Sequence, residues 1–413
     1  MPAVCLYFQV HQPHRIRKYR VFDIGHSHDY FSDTSESNLN NKKILQKVAG
    51  KSYLPTNKIL LELLLRHPEF KVSFSLSGVV MEQLKEYSPE TLESFQELAA
   101  TGRAEILSET YYHSLSFLYS KEEFASQIRL HRDLVRDLFG QVPTVFRNTE
   151  LIYNNELAAV VARLGFTGIL AEGADHILGW RSPNFLYFPV SAPGIKLLLK
   201  NYRLSDDIAF RFSEPSWSEY PLMADKFASW VNAVNGNGDV VNLFMDYETF
   251  GEHQWESTGI FEFLRHLPGQ ILRHPDNYFV TPSEAVAKFP ARGELDVPYF
   301  VSWADVERDL SAWLGNPIQD DAAGKLYSLE HQILLSGDDR LIADWRRLQT
   351  SDHFYYMCTK WFADGDVHKY FNPYDSPYDA FISFMNVLAD LRLRLQTKLA
   401  SAPAPDAQIP GFV

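Results

Sequence analysis

Seven short apolar runs recur through the first 245 positions: residues 3–10 (AVCLYFQV), 71–77 (KVSFSLS), 104–108 (AEILS), 143–148 (PTVFRN), 166–171 (FTGILA), 195–201 (IKLLLKN) and 240–245 (VVNLFM). Between most of them the apolar spacing lengthens to that of a helix. Examples are NKILLELLLRH before the second run, PETLESFQELAATG with its Gly102 stop before the third, and KEEFASQIRLHRDLVRDLFG ending at Gly140 before the fourth. A strand that is apolar on both faces must be covered on both faces, and intervening helices supply that cover. The pattern therefore predicts an α/β fold built on a parallel sheet. Seven such strands predict a barrel.

From about residue 290 the strand runs stop. Helical stretches such as QDDAAGKLYSLEHQILLSG and PYDAFISFMNVLADLRLRLQTKLA take over, with Pro290, Gly293 and Pro298 punctuating the change. The expected organisation is a barrel over residues 1–290, a helical domain over 291–400 covering the barrel mouth, and a loose Pro- and Ala-rich tail over 401–413.

Composition narrows the partners. Of 413 residues, 46% are hydrophobic and 22% charged, a globular balance, and the formal charge of -13 argues against a phosphate backbone as ligand. A neutral partner fits better, and no nucleic acid is expected. Cys5 and Cys358 are the only cysteines, too few for a disulfide framework or a thiolate metal site. No stretch approaches the roughly 18–20 apolar residues that span a bilayer, and the basic HRIRKYR after the first run does not suit a secretion signal. A soluble, cytoplasmic protein without membrane association is expected. Nothing in the sequence signals an oligomeric state.

Polar residues cluster where the predicted strands end: HQPH (His11 to His14) after the first, ETYYHS (Glu109 to Ser114) after the third, NTE (Asn148 to Glu150) after the fourth and DYETFGEH (Asp246 to His253) after the seventh. In a closed parallel barrel these ends converge, so the segments should meet in one site. Carboxyls beside aromatic residues suit glycoside chemistry, in which one carboxyl attacks or steadies the anomeric carbon and another protonates the departing oxygen. Glu150 and Asp246 are the candidates, and in a retaining enzyme they would stand about 5–5.5 Å apart. Asp246 and Glu248, two apart on a strand end, should point the same way, and their mutual repulsion would keep a proton on the acid. Other readings stay open. Glu150 would also suit the start of a helix, and His11, His113 and His253 would suit sugar hydroxyls or a purely structural role. Glu105 alternates within a strand as a structural partner would. His26, His28 and Asp29 in GHSHDYF resemble a metal-ligand cluster, which would make the barrel a metal-dependent deacetylase or mannosidase, although the spacing matches no metal motif. A glucan-binding protein without turnover is a third possibility.

Five segments in order resemble glycoside hydrolase family 57, and within it the α-amylase group: HQP after the first strand, GRAEILSETYYHSL (102–115), FRNTELIYNN (146–155), MDYETFGEHQ (245–254) and SWADVERDLSAWLGN (302–316), with LQTSDHFYYM (348–357) as a C-terminal echo. The resemblance implies an incomplete (β/α)7 barrel followed by a C-terminal helical bundle. It implies retention of configuration on an α-glucan such as glycogen, starch or maltodextrin, with Glu150 as nucleophile, Asp246 as acid/base, and neither metal nor cofactor. In the fifth segment Trp303 and Trp313 are expected to stack on pyranose rings, and Asp305 to orient hydroxyls. Glu248 joins His11, His113 and His253 as a substrate-binding candidate. Family relatives that transfer glucan chains, the 4-α-glucanotransferases and branching enzymes, form the alternative to hydrolysis.

Overall fold

The computed structural model describes residues 2–35, 37–360 and 367–401. The expected tail beyond Ser401 lies outside them. All seven apolar runs form strands: β1 (Ala3–Val10), β2 (Val72–Leu76), β3 (Ala104–Ile106), β4 (Val145–Arg147), β5 (Gly168–Glu172), and, after the additional β6 (Leu186–Pro189), β7 (Lys196–Lys200) and β8 (Val240–Asp246). A ninth strand, β9 (Ala291–Leu295), lies just where strands were expected to have ceased. Its ARGEL buries only Leu295, so it has no apolar run to betray it.

Two sheets form, ordered β3-β2-β1-β8 and β4-β5-β7-β6-β9. The first is wholly parallel, and in the second β6 and β9 run parallel to each other but opposite to β4, β5 and β7, so that only the β6–β7 pairing is antiparallel. The register sets Gln9 of β1 level with both Ser75 of β2 and Asp246 of β8, so polar residues gather at one end of the sheet. Both edges of the first sheet meet the second, the end of β3 beside β4 and β8 beside β7. Beyond β3, the Ser108 N–H donates to the Val145 carbonyl (3.1 Å) and the Arg147 N–H to that of Ser108 (2.8 Å). On the other side the Asn242 side chain donates to the Leu199 carbonyl and the Asn201 N–H to that of Asn242, each at 2.9 Å.

Helices cover the outside, and several start immediately after a strand. Ser77 after β2 and Asn201 after β7 accept from backbone N–H groups of the first turn that would otherwise lack a partner. Gly140, at φ 68, stops the long helix Lys121–Phe139 in the left-handed conformation expected of that glycine. A single π-turn, Ala49–Tyr53, joins helices Asn41–Val48 and Leu54–Arg66 and delivers Tyr53 towards the end of β8. It approaches so closely that a Cβ on Gly251 would sit 2.0 Å from the Lys51 carbonyl oxygen.

After β9 the described chain is helical. Helices Pro317–Tyr327, Asp339–Arg347 and Pro377–Ser401 enclose Trp313, Trp345, Phe354 and Phe384. The same apolar cluster takes in Ile16, Leu115 and Ile152 from the loops that follow β1, β3 and β4. The helical region thus packs on the end of the sheet where the polar segments lie. No helix among the described residues is long and apolar enough to cross a membrane.

Candidate active site

A cavity of about 290 Å³ opens beyond the ends of β1, β4, β7 and β8. Glu150 and Asp246 both line it, together with every residue assigned from sequence to substrate binding. They do not all present themselves as expected.

Glu150 follows β4 in an unusual backbone conformation, φ 57 and ψ 23, with Leu151 also left-handed at φ 51. Such angles are strained for residues with a side chain and persist only where surrounding bonds impose them. Here the Leu151 N–H donates to the Asn148 carbonyl (3.0 Å), the Ile152 N–H to that of Thr149 (2.9 Å) and the Trp303 N–H to that of Glu150 (3.2 Å). Among the described residues only five non-glycine positions have positive φ: His113, Glu150, Leu151, Asp305 and Arg308. Three of the five line the cavity.

The Glu150 carboxylate accepts from Trp303 Nε1 (2.8 Å) and Ser351 Oγ (3.1 Å), and His113 Nε2 lies 3.5 Å away. His113 Nδ1 is bound in turn by Glu109 Oε2 at 2.7 Å. Glu109 is wholly buried and accepts from Gln9 Nε2 (3.0 Å) and Ser75 Oγ (2.5 Å). Burial disfavours the His113 cation, but the bond and charge of Glu109, joined by Glu150, override it and raise its pKa to about 9. Burial likewise works against the Glu150 carboxylate, and His113 reverses that, holding Glu150 below the usual range. Glu109 falls to about 2 despite its burial, for the same reason.

Asp246 is pushed the other way. Burial first, and then the charge of Glu150, raise its pKa to about 6, against the opposing pull of Arg147 and Lys200. One carboxyl is thus ionised while its neighbour retains a proton into mildly acidic conditions, the division of labour that acid/base and nucleophilic roles require. The reason differs from the one read in sequence. β8 ends at Asp246, and Glu248 sits in the turn Tyr247–Thr249, so strand alternation no longer governs where it points. Its carboxyl receives the Tyr53 hydroxyl and Gln12 Nε2 (3.3 Å), and is itself raised to about 8 by burial and by Asp246. The partner that protects the Asp246 proton is Glu150. The remaining carboxylate of the segment, Glu252, turns to Lys47 (2.5 Å) and Lys51 (3.6 Å).

His11 binds Ser77 Oγ (2.6 Å) through Nδ1 and Asp352 Oδ2 (3.0 Å) through Nε2, and its ring stacks on His113 at 4.0 Å. Burial and the adjacent His113 charge lower its pKa, while Asp352 is held far below the carboxylate range by His11 despite burial. His253 is lowered by burial to about 4, with its ring edge-on to Phe371 at 5.4 Å. Trp303 does more than offer a ring face. Its indole N–H is bound to Glu150, and Arg147 lies over the ring at 4.8 Å. Trp313 departs from expectation: at 1% exposure it has no open face on which a sugar could stack, although its N–H lacks a partner among the described residues. The Asp305 carboxylate is already engaged by Lys360 (3.2 Å) and His368 (3.0 Å), leaving it less free to orient hydroxyls than the sequence suggested.

The metal-like residues do not converge. His28 Nδ1 binds Asp390 Oδ2 (2.8 Å), Asp29 receives Arg17 on its backbone carbonyl (2.7 Å), and His26 is exposed. No group of three His, Cys, Asp or Glu among the described residues is placed to hold a metal ion. Glu105 accepts the Ser283 N–H (3.0 Å) at the start of helix Pro282–Lys288, a structural bond. Sequence reasoning missed Glu109, Arg147, Ser351 and Asp352. Each lay inside a segment already singled out.

The Glu109–His113 pair has a consequence for stability. The His113 pKa is raised from 6.5 to about 9, so its contribution is complete below pH 6.5 and is lost as pH rises through 9. The depressed Glu109 contributes above 4.5, and that share is lost as pH falls through about 2. The thermal midpoint is therefore expected to fall by a few degrees, about 2–5 °C, between pH 6.5 and 9. His113→Gln should flatten that slope, and an equally steep fall in the variant would contradict the assignment.

Among known proteins, the family model described as Glycosyl hydrolase family 57 matches residues 5–298. A Methanocaldococcus jannaschii protein named "Putative alpha-amylase" is 45% identical over 406 residues, covering 96% of this chain and 85% of that protein. The crystal structure of a GH57-type branching enzyme from Pyrococcus horikoshii superposes with a TM-score of 0.68 at 15% identity, over 90% of this chain and 87% of that one. That of 4-alpha-glucanotransferase from Thermococcus litoralis gives 0.59 at 18% identity, over 90% of this chain but only 54% of the other. At these identities the two structures speak for the fold alone.

Proposed function

The chain belongs to glycosyl hydrolase family 57, and from that premise we propose that it is a retaining α-1,4-glucan hydrolase of the α-amylase type, with Glu150 as nucleophile and Asp246 as acid/base. The observation that carries this reading is the pair itself: two carboxyls from distant strands line one cavity, and their surroundings push their proton affinities in opposite directions. The 45% identity to a protein named for α-amylase supports the substrate class.

In the first half-reaction Glu150 bonds to the anomeric carbon while the glycosidic C–O bond breaks and the Asp246 proton passes to the departing oxygen. The Asp246 carboxylate then takes a proton from water, whose oxygen displaces Glu150. His113, kept charged by Glu109, stabilises Glu150 whenever it is free and thereby eases its departure. His11, Glu248 and His253 are proposed as substrate contacts, and so is Trp303, whose main task is to hold Glu150. Trp313 and Asp305 shape the wall.

The finer architecture follows the same reading. The bonds along both edges of the first sheet support a single incomplete (β/α)7 barrel made from the two sheets, with residues 291–400 as a helical bundle over its mouth.

Chain transfer passes through the same covalent intermediate and differs only in whether a sugar hydroxyl precedes water. Maltoheptaose separates the two: shorter sugars alone are expected, and longer products would make the protein a transferase. Full activity in a chelator is expected with either outcome, and its loss would favour a metal-dependent barrel.

A further inference from the structure

A second concavity, about 840 Å³ in volume and sharing no lining residue with the catalytic one, lies where the loop after β5, the turn before β8 and edge strand β9 meet. Trp180 on its wall is 90% exposed. An indole left almost wholly in water forgoes the burial that usually places this residue in a core or an interface. Gly179, at φ 58, ends the short helix Asp175–Leu178 and turns the chain outward at this point. Phe185, with Arg292 over its ring at 5.3 Å, and Tyr187, whose hydroxyl is fixed on the Ser182 carbonyl (2.8 Å), add aromatic wall.

The floor is rigid. A Cβ on Gly238 would meet the Asn184 Cβ at 2.7 Å and Val234 Cγ1 at 2.8 Å, so the turn is packed tightly in place. Charge selects the ligand class. Arg292 is bonded twice to Asp239, at 2.9 and 3.0 Å, and of the other two charged lining residues Arg181, whose guanidinium lies over the Trp180 ring at 5.3 Å, is opposite in sign to Glu294, so the lining carries no net charge. Neither a phosphate-bearing nor a cationic ligand is favoured there. A flat, exposed ring beside neutral and charge-balanced hydrogen-bonding groups suits a neutral molecule with apolar faces and a rim of hydroxyls.

We propose that this concavity is a second, non-catalytic binding site for a neutral glucan chain, with Trp180 as its stacking platform. The cavity chemistry argues for a carbohydrate by itself; its being a glucan rests on the proposed function. Such a site tethers a polysaccharide and raises the local concentration of chain ends at the catalytic cavity, an effect a short oligosaccharide cannot exploit.

The test uses the whole chain. Retardation of the wild type, Trp180→Ala and Trp180→Phe is measured in native gels containing amylopectin, alongside turnover of amylopectin and of maltoheptaose. Amylopectin affinity is expected to fall about tenfold in Trp180→Ala and to recover largely in Trp180→Phe, with maltoheptaose kcat/KM unchanged. Unchanged retardation in Trp180→Ala would overturn the site, as would a wild type that amylopectin does not retard. An equal loss on maltoheptaose would also overturn it, placing Trp180 in the catalytic machinery. An altered oligomeric state with unaltered retardation would assign the face to a second copy of the chain instead. If the wild type is retarded through Trp180 but turns over neither substrate, the binding site stands and the proposed function falls.

Discussion

Glu150→Gln is expected to lower kcat on maltoheptaose by about 10⁴-fold or more, because the amide cannot form the glycosyl ester while everything around it stays in place. The single glutamine oxygen still accepts from Trp303 Nε1, and the amide NH2 donates to Ser351 Oγ where the carboxylate had accepted, so the strained turn keeps a side-chain tie to each. What disappears is the negative charge, and with it one of the influences that raise the His113 pKa. Folding is expected to survive with only a small shift in thermal midpoint, which separates a chemical defect from a structural one. A smaller replacement sharpens the assignment. In Glu150→Gly, added azide should reach the anomeric carbon from the vacated side and yield a glycosyl azide of inverted configuration from an activated substrate. A Glu150→Gln variant with more than about 1% of wild-type kcat would remove this residue from the nucleophile role.

The second large effect is on pH dependence. Glu150 is depressed below its ordinary 4.5, so it remains ionised until conditions become strongly acidic. Asp246 is raised from 3.8 to about 6, so the proton it must donate is present below that pH and is lost as pH rises through it. The free-enzyme profile, kcat/KM against pH, should therefore peak on the acid side of neutrality and decline above about 6. Asp246→Asn is expected to reduce kcat/KM on oligosaccharides by about 10³-fold and to abolish that alkaline decline. The loss should be much smaller for the first step on an aryl glycoside whose leaving group needs no proton. Equal losses on both substrates, or a decline near pH 6 that persists in Asp246→Asn, would give the acid role to another residue.

The parts of this arrangement that sequence exposed are those written in runs. β1 to β5, β7 and β8 stand out as apolar blocks between helical stretches, whereas β9, ARGEL, is mostly exposed, and β6, LYFP, is apolar but only four residues long and ends on a proline. The site was legible in outline because polar residues have no reason to terminate several buried strands at once. Its electrostatics were not. Alternation along a strand made Glu248 the neighbour of Asp246, but the chain leaves extended geometry at Tyr247, and the decisive neighbour comes from β4, almost a hundred positions earlier. Likewise Trp313 carries the residue type of a stacking platform, and only packing reveals that its faces are covered. Glu109 was in view but unchosen, since nothing local marks a carboxylate whose function is to hold a histidine charged.

Ser351 on Glu150 and Asp352 on His11 come from the last quarter of the chain, and Trp303 from beyond the last strand of the first sheet. A nascent polypeptide that had emerged from the ribosome as far as β9 would hold both acids without the hydroxyl and indole that fix Glu150 and the carboxylate that fixes His11. The proposed catalytic arrangement is therefore completed only by residues that follow β9, and a fragment cut there would lack the groups that fix Glu150 and His11.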